Sequence, residues 1–139
     1  MFFEMTYQVR VTDFKEGQKW YEIFLGKTPD FIPHDGFAEW ELIPGCWLQV
    51  AEGIPSEGSG PLRLAVKDIK AEKERLFREL DVENFEIFSR TEVPVTWASF
   101  TDPWGNRIGL FEYINKSEEK ERMKAIWGGQ NGAKDTSVT

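Results

Sequence analysis

The chain has 139 residues, 40% of them hydrophobic and 29% charged, with 17 basic against 24 acidic side chains and a net charge of −7. That size and composition suit a single globular domain with a core of its own. The negative balance would repel a phosphate backbone, and apolar stretches of only a few residues exclude a membrane-spanning helix, so neither nucleic acid nor membrane is expected as a partner.

Met1-Phe2-Phe3-Glu4 lacks the basic, long apolar character of a secretory leader. The single cysteine, Cys46, has no intrachain partner for a disulfide, and a cytoplasmic location is expected. Met5 to Val11 alternates as a strand, with Tyr7, Val9 and Val11 on one face and Thr6, Gln8 and Arg10 on the other. Asp13 suits a helix N-cap, Trp20, Tyr21, Phe24 and Leu25 follow at core spacing, and Gly26 ends the helix. A short extended piece, Phe31 to Pro33, closes in the turn His34-Asp35-Gly36. Phe37 to Ile43 and Cys46 to Ala51 then read as strands joined across Pro44-Gly45.

Residues 53–60 are linker-like. After them the order begins again: a strand at Leu62 to Val66, a helix capped by Asp68 with Ile69, Leu76, Phe77 and Leu80 inward, and strands at Phe85 to Phe88, Val95 to Phe100 and Arg107 to Tyr113. Val11-Thr12-Asp13-Phe14-Lys15 returns as Val66-Lys67-Asp68-Ile69-Lys70, displaced by 68 − 13 = 55 residues. The pattern is β-α-β-β-β, twice. Beyond Tyr113, a helix starting at Ser117 with Glu118 and Glu119 carries Met123, Ile126 and Trp127 as an apolar stripe that would dock on this domain or a partner subunit. Gly128-Gly129 ends it, and 130–139 read as disordered.

Between the last two strands lies Phe100-Thr101-Asp102-Pro103-Trp104-Gly105-Asn106-Arg107-Ile108, a hairpin turn in its own right. Placed after a doubled β-α-β-β-β unit, this Asp-Pro-x-Gly-Asn turn resembles that of the vicinal oxygen chelate superfamily, the group of glyoxalase I, fosfomycin-resistance enzymes, extradiol dioxygenases and bleomycin-resistance proteins. Val11-x-Asp13-x(6)-Trp20-Tyr21-x(3)-Leu25-Gly26 is similar to a first-module signature of the same family, and the likeness covers about residues 5–113. It implies an α+β fold of two tandem βαβββ modules, curled mixed sheets around a U-shaped cavity with the helices outside. A domain at 1–113 (modules at about 5–52 and 61–113) would precede a C-terminal helix and flexible tail at 114–139. The resemblance also implies a homodimer.

Metal-using members carry ligands at set points on the first and last strands of each module. Carried onto this chain, those points are Thr6, Gln49, Pro61 and Gly109, with Glu52 beyond the strand end. Threonine, proline and glycine do not complete a divalent site with one glutamine, and a one-residue shift offers only Tyr7, Leu48, Leu62 and Ile108 or Leu110. His34, the only histidine, sits in a turn far from these points. No metal and no cofactor are expected.

Strand alternation sends Gln8 and Arg10, Trp47 and Gln49, Arg63, and Arg107 and Phe111 toward the cavity. Trp97 and Ser99 can join them, and Glu39 and Glu41 enter if Trp40 and Leu42 pack on a helix. Gln8, Arg10, Glu41, Trp47, Gln49, Arg63, Trp97, Arg107 and Phe111 are therefore the candidate ligand-binding residues. Aromatic walls with amides and charges suit a small organic ligand. The alternative is that Arg10 and Arg63 pair with Glu39 or Glu41 and the tryptophans only fill space.

The expected function is metal-free capture of a small organic molecule, in the manner of the family's drug-sequestering branch, whose acidic surface faces a cationic drug. The rivals are a lyase or isomerase using Glu39 or Glu41 as acid and base, and a metal-dependent enzyme with unrecognised ligands. Cys46 reads as a small buried residue, Asp102 and Asn106 as turn residues, and Asp13 and Asp68 as caps.

Overall fold

A computed structural model describes residues 1, 4–55 and 61–128. The expectations for 56–60 of the linker, for the Trp127 side chain, for Gly129 and for 130–139 of the tail lie outside the described residues.

The first module runs β1 (Met5–Val11), α1 (Phe14–Leu25), β2 (Phe31–His34), β3 (Phe37–Ile43) and β4 (Cys46–Glu52). Its sheet has the order β1-β4-β3-β2, with β1 parallel to β4 and the other pairs antiparallel. The second module runs β5 (Leu62–Ala65), α2 (Ile69–Leu80), β6 (Val95–Thr101) and β7 (Arg107–Tyr113), and its sheet β5-β7-β6 repeats the arrangement, β5 parallel to β7. This is the expected α+β class, with two mixed sheets that do not close on each other. Among the described residues, no helix is long and apolar enough to cross a membrane.

The helix bounds repeat to the residue, although Phe77, expected to face inward on α2, is exposed. Asp13 and Asp68 cap their helices by accepting from the main-chain N–H of Glu16 and Ala71. Each helix then has 12 residues and ends on a left-handed residue, Gly26 at φ 78° and Asp81 at φ 55°, again 81 − 26 = 55 apart. Glycine and aspartate are among the residues that take this conformation most readily.

One strand of the repeat is lost. Phe85 to Phe88 is expected to complete the second sheet as β2 completes the first, but only Phe88 pairs, in a single bridge to Trp97. Phe85 turns inward instead and stacks on Phe100, ring centroids 5.3 Å apart. Burial of one more ring competes with strand pairing here and prevails.

The helices cover one face of each sheet. Val9, Val11, Ala38, Trp40, Leu48 and Val50 from the first sheet, and Leu62, Ala98, Ile108 and Leu110 from the second, join Trp20, Tyr21, Phe24, Ile69 and Leu76 of the helices in one buried cluster. Helix α1 serves both halves: Tyr21 lies 6.5 Å from Trp40, and Phe24 lies 5.9 Å from Phe100. It seats closely because Gly17 has no side chain, since a Cβ there would come within 2.6 Å of Val11 Cγ2. Arg75 of α2 locks the helices together, donating to the carbonyls of Ile23 and Phe24 at 3.1 and 2.9 Å, near the open C-terminal end of α1.

The C-terminal helix α3 (Lys116–Met123) starts one turn-residue earlier than expected. Asn115, not Ser117, is the cap, because its side-chain oxygen accepts from the N–H groups of both Ser117 and Glu118. A single π-helical turn, Lys124–Gly128, follows. Lys116 ties the helix to the second module through the Lys67 carbonyl and Glu112, and Arg122 lies over the Tyr113 ring at 4.8 Å. These partners raise the Lys116 pKa, led by the bonds to Glu112 and Glu119. Met123 is half-buried and Ile126 exposed, so polar side chains carry much of the docking.

Candidate functional site

On the helix-free face of the first sheet, register sets three cross-strand rows. Thr6, Trp47 and Glu41 form one, Gln8, Gln49 and Glu39 the next, and Arg10, Ala51 and Phe37 the third. Trp40 on the opposite face is fully buried and its indole N–H donates to the Lys27 carbonyl, which leaves Glu39 and Glu41 on the helix-free face. The middle row is a hydrogen-bonded chain. Gln8 Nε2 donates to Gln49 Oε1 at 3.2 Å, and Gln49 Nε2 donates to Glu39 Oε1 at 3.0 Å.

The second sheet has the matching rows: Arg107 opposite Thr101, Arg63, Gly109 and Ser99 together, and Ala65, Phe111 and Trp97 together. Where the first sheet places Gln8 beside Gln49, the second therefore places Arg63 beside Gly109. The missing side chain makes room for the arginine: a Cβ on Gly109 would sit 3.3 Å from Arg63 Cγ, and the Arg63 guanidinium lies over the Phe111 ring at 4.7 Å. Arg10 is folded over Gly53 in a comparable way, its Cδ and Nη1 each 2.9 Å from where a Cβ would be.

The positions implied for a cation do not fit one. Pro61 and Gly109 offer no donor side chain, the Gln49 amide is committed to Gln8 and Glu39, and a guanidinium covers the glycine. Among the described residues, no three histidine, cysteine, aspartate or glutamate side chains cluster as a cation would require.

The pairing of arginines with Glu39 or Glu41 does not occur. Glu39 accepts from Gln49, and Glu41 accepts from the main-chain N–H of Gly45 within its own hairpin. Among the described residues, Arg10, Arg63 and Arg107 have no carboxylate at ion-pair distance, and all three are exposed. Trp47 is half-buried beside the glutamine row, and its indole N–H is shut from water without a hydrogen-bond partner. Trp97 stacks on Phe88 at 5.9 Å. Gln8, Arg10, Glu41, Trp47 and Gln49 thus share one face, and Arg63, Trp97, Arg107 and Phe111 the other. Among the described residues, no hydrogen bond or ring contact joins the two sets. Cys46 is partly exposed rather than buried, and His34 is exposed at the end of β2.

What spacing alone did not reveal is a clasp between the modules beneath these faces. Asp102, 3% exposed, accepts from the N–H groups of Trp104 and Asn106 on Oδ1 and from Asn106 Nδ2 and the Tyr21 hydroxyl on Oδ2, the last at 2.7 Å. Asn106 Nδ2 also donates to the Arg10 carbonyl. Burial, and then the Asp102 carboxylate beside it, raise the Tyr21 pKa well above the ordinary tyrosine value. The turn residues therefore hold α1 and the end of β1 against the second sheet.

Comparison with protein-family models and with the curated proteins finds no match. Solved structures do match. A glyoxalase/bleomycin resistance protein from Catenulispora acidiphila is 28% identical, with a TM-score of 0.62 over 78% of this chain and 96% of its own. A lactoylglutathione lyase from Agrobacterium tumefaciens (17% identical, TM-score 0.60) is covered over 91% of its length by 78% of this chain. A fosfomycin resistance protein from Listeria monocytogenes (14% identical, TM-score 0.62) is covered over 93% by 81% of this chain. The fold is that of the vicinal oxygen chelate superfamily.

Proposed function

We propose that this vicinal oxygen chelate fold binds a small organic acid between the helix-free faces of its two sheets, without a metal ion of its own. The observation that carries the proposal is local charge. On a chain of net charge −7, these faces hold three arginines free of carboxylate partners among the described residues, while their two glutamates are engaged by neutral donors. Guanidinium groups match a planar carboxylate, and Trp47, Trp97 and Phe111 supply surfaces for an aromatic or apolar body. The ligand sign is thus opposite to the cationic drug that whole-chain charge suggests.

The likeness to the glyoxalase/bleomycin resistance protein from Catenulispora acidiphila is compatible with a binding role and with a glyoxalase-type enzyme alike. We place the binding domain at 1–113, treat 114–139 as an appended helix and tail, and propose a cytoplasmic homodimer in which the paired faces complete each cavity. Lyase or isomerase chemistry through Glu39 or Glu41 is the second reading: each carboxylate accepts a hydrogen bond from a neutral donor and neither is paired with an arginine.

The test is a tryptophan-fluorescence and thermal-shift screen of aromatic carboxylates, each paired with the amine of the same shape. Expected are saturable quenching by acids at about one ligand per site and a preference over the paired amines of at least about tenfold, lost in Arg63→Leu. A screen in which neither series quenches nor stabilises the protein removes the proposal, as does a preference for the amines.

A further inference from the structure

Along the free edge of β6, where Ser99 and Thr101 border the second face described above, lies a groove of about 630 Å³, with Trp20 and Phe100 in its walls and the segment from Leu80 to Phe85 along its far side. It occupies the place of the strand that the second module lacks. In the first sheet, Phe31 and His34 of β2 pair with Glu39 and Phe37 of β3. The Phe88–Trp97 bridge corresponds to the His34–Phe37 pair, but nothing corresponds to Phe31–Glu39, because Phe85 has left the edge to stack on Phe100.

The direction of the vacant main-chain groups follows from alternation. Trp97 exchanges both its hydrogen bonds with Phe88, at 3.0 and 2.8 Å, so its N–H and C=O face away from β7. Antiparallel pairing alternates, so Ser99 and Thr101 also turn their N–H and C=O outward, into the groove. Among the described residues, no main-chain partner meets them. Trp20, which lines the groove and is 8% exposed, also carries an indole N–H that is shut from solvent and has no hydrogen-bond partner. The charged side chains lining the groove, Asp81, Glu83 and the already satisfied Asp102, are all acidic.

We propose that this groove is a peptide-binding site, taking a short extended segment with a basic side chain as the strand missing from the second sheet. Main-chain bonds to Ser99 and Thr101 fix its register, its apolar side chains lie against Phe85 and Phe100, and its lysine or arginine meets Asp81 and Glu83. A free strand edge selects a peptide over a compact small molecule, because alternating donors and acceptors at strand spacing are what an extended chain presents.

The experiment is a titration of the ¹⁵N-labelled full chain with the peptide acetyl-Val-Lys-Val-Lys-Val-amide, followed by amide and indole resonances. Expected are saturable shifts at Ser99, Thr101 and the Trp20 indole, with a dissociation constant on the order of 0.1–1 mM, and weaker binding by about tenfold for the Val-Glu-Val-Glu-Val counterpart. Ser99→Ala retains binding because the side chain is not used. Ser99→Pro loses it, and proline is tolerated there because the N–H it removes faces out of the sheet. Asp81→Asn with Glu83→Gln weakens the lysine peptide several-fold and keeps the fold, since asparagine accepts the left-handed conformation of residue 81. Absence of shifts at millimolar peptide, equal binding by the two peptides, or binding undiminished in Ser99→Pro overturns the proposal. Shifts at β6 that depend on protein concentration without peptide would assign the edge to a second copy and overturn it as well.

Discussion

Replacing Tyr21 by phenylalanine removes one hydroxyl from a fully buried ring and leaves the surrounding packing otherwise intact. The lost bond is short, 2.7 Å, and its acceptor is the carboxylate of Asp102, buried between the modules. A hydrogen bond to a charged group contributes about 1.5–3 kcal/mol, more than a neutral pair. Asp102 Oδ2 keeps the Asn106 amide after the change, so the carboxylate is not stripped of partners. The expected loss is therefore about 2 kcal/mol, or about 8 °C in Tm for a domain of this size. Urea unfolding with linear extrapolation measures it directly. The same variant carries a pH signature. The folded-state pKa of Tyr21 lies above its unfolded value near 10, so its contribution is complete below about pH 10 and is lost as pH rises toward the folded pKa. The stability gap between the native chain and Tyr21→Phe should therefore narrow above about pH 10. A variant within about 0.5 kcal/mol of the native chain at pH 7, or a gap that widens with alkali, refutes the clasp as a stabilising contact.

Gly17→Ala should destabilise by about 1–2 kcal/mol, although alanine is the better helix former by about 1 kcal/mol, because the added methyl overlaps Val11. Chemical denaturation checks the sign, and adding Val11→Ala should make the double variant lose less than the two single losses together. Arg75→Met should cost about 1–2 kcal/mol by leaving the carbonyls of Ile23 and Phe24 without their donor, with amide exchange accelerated at the end of α1 before elsewhere. Asn115→Ala should remove about 1 kcal/mol of cap from α3, seen as faster exchange in 116–119 with β7 unchanged.

Much of the fold is legible in the amino-acid order because it rests on local rules. Asp13 and Asp68 announce their helices by chemistry that acts over three residues, and period-two alternation assigns Gln8 and Gln49 to one face, which Glu39 joins only because Trp40 packs against α1. Phe85 is different: an aromatic residue beside a strand serves the edge or the core equally well in pattern, and Phe100, fifteen residues on, decides between them. Asn115 and Ser117 are both competent caps two residues apart, and only the helix itself selects the first. Charge alone pairs Glu39 with an arginine, yet register delivers a glutamine, since Gln49 is directly opposite while Arg10 lies in the next row. The Tyr21–Asp102 bond joins residues 81 apart, a distance over which neither periodicity nor turn grammar carries information.

That bond exists in one direction only. The residue matching Tyr21 in the second helix, 55 positions on, is Leu76, equally buried but without a hydroxyl. Overwriting either half with the other, as gene conversion between duplicated segments does, would set a carboxylate against leucine or strand a phenol in hydrocarbon. With the clasp in place, neither half can stand in for the other.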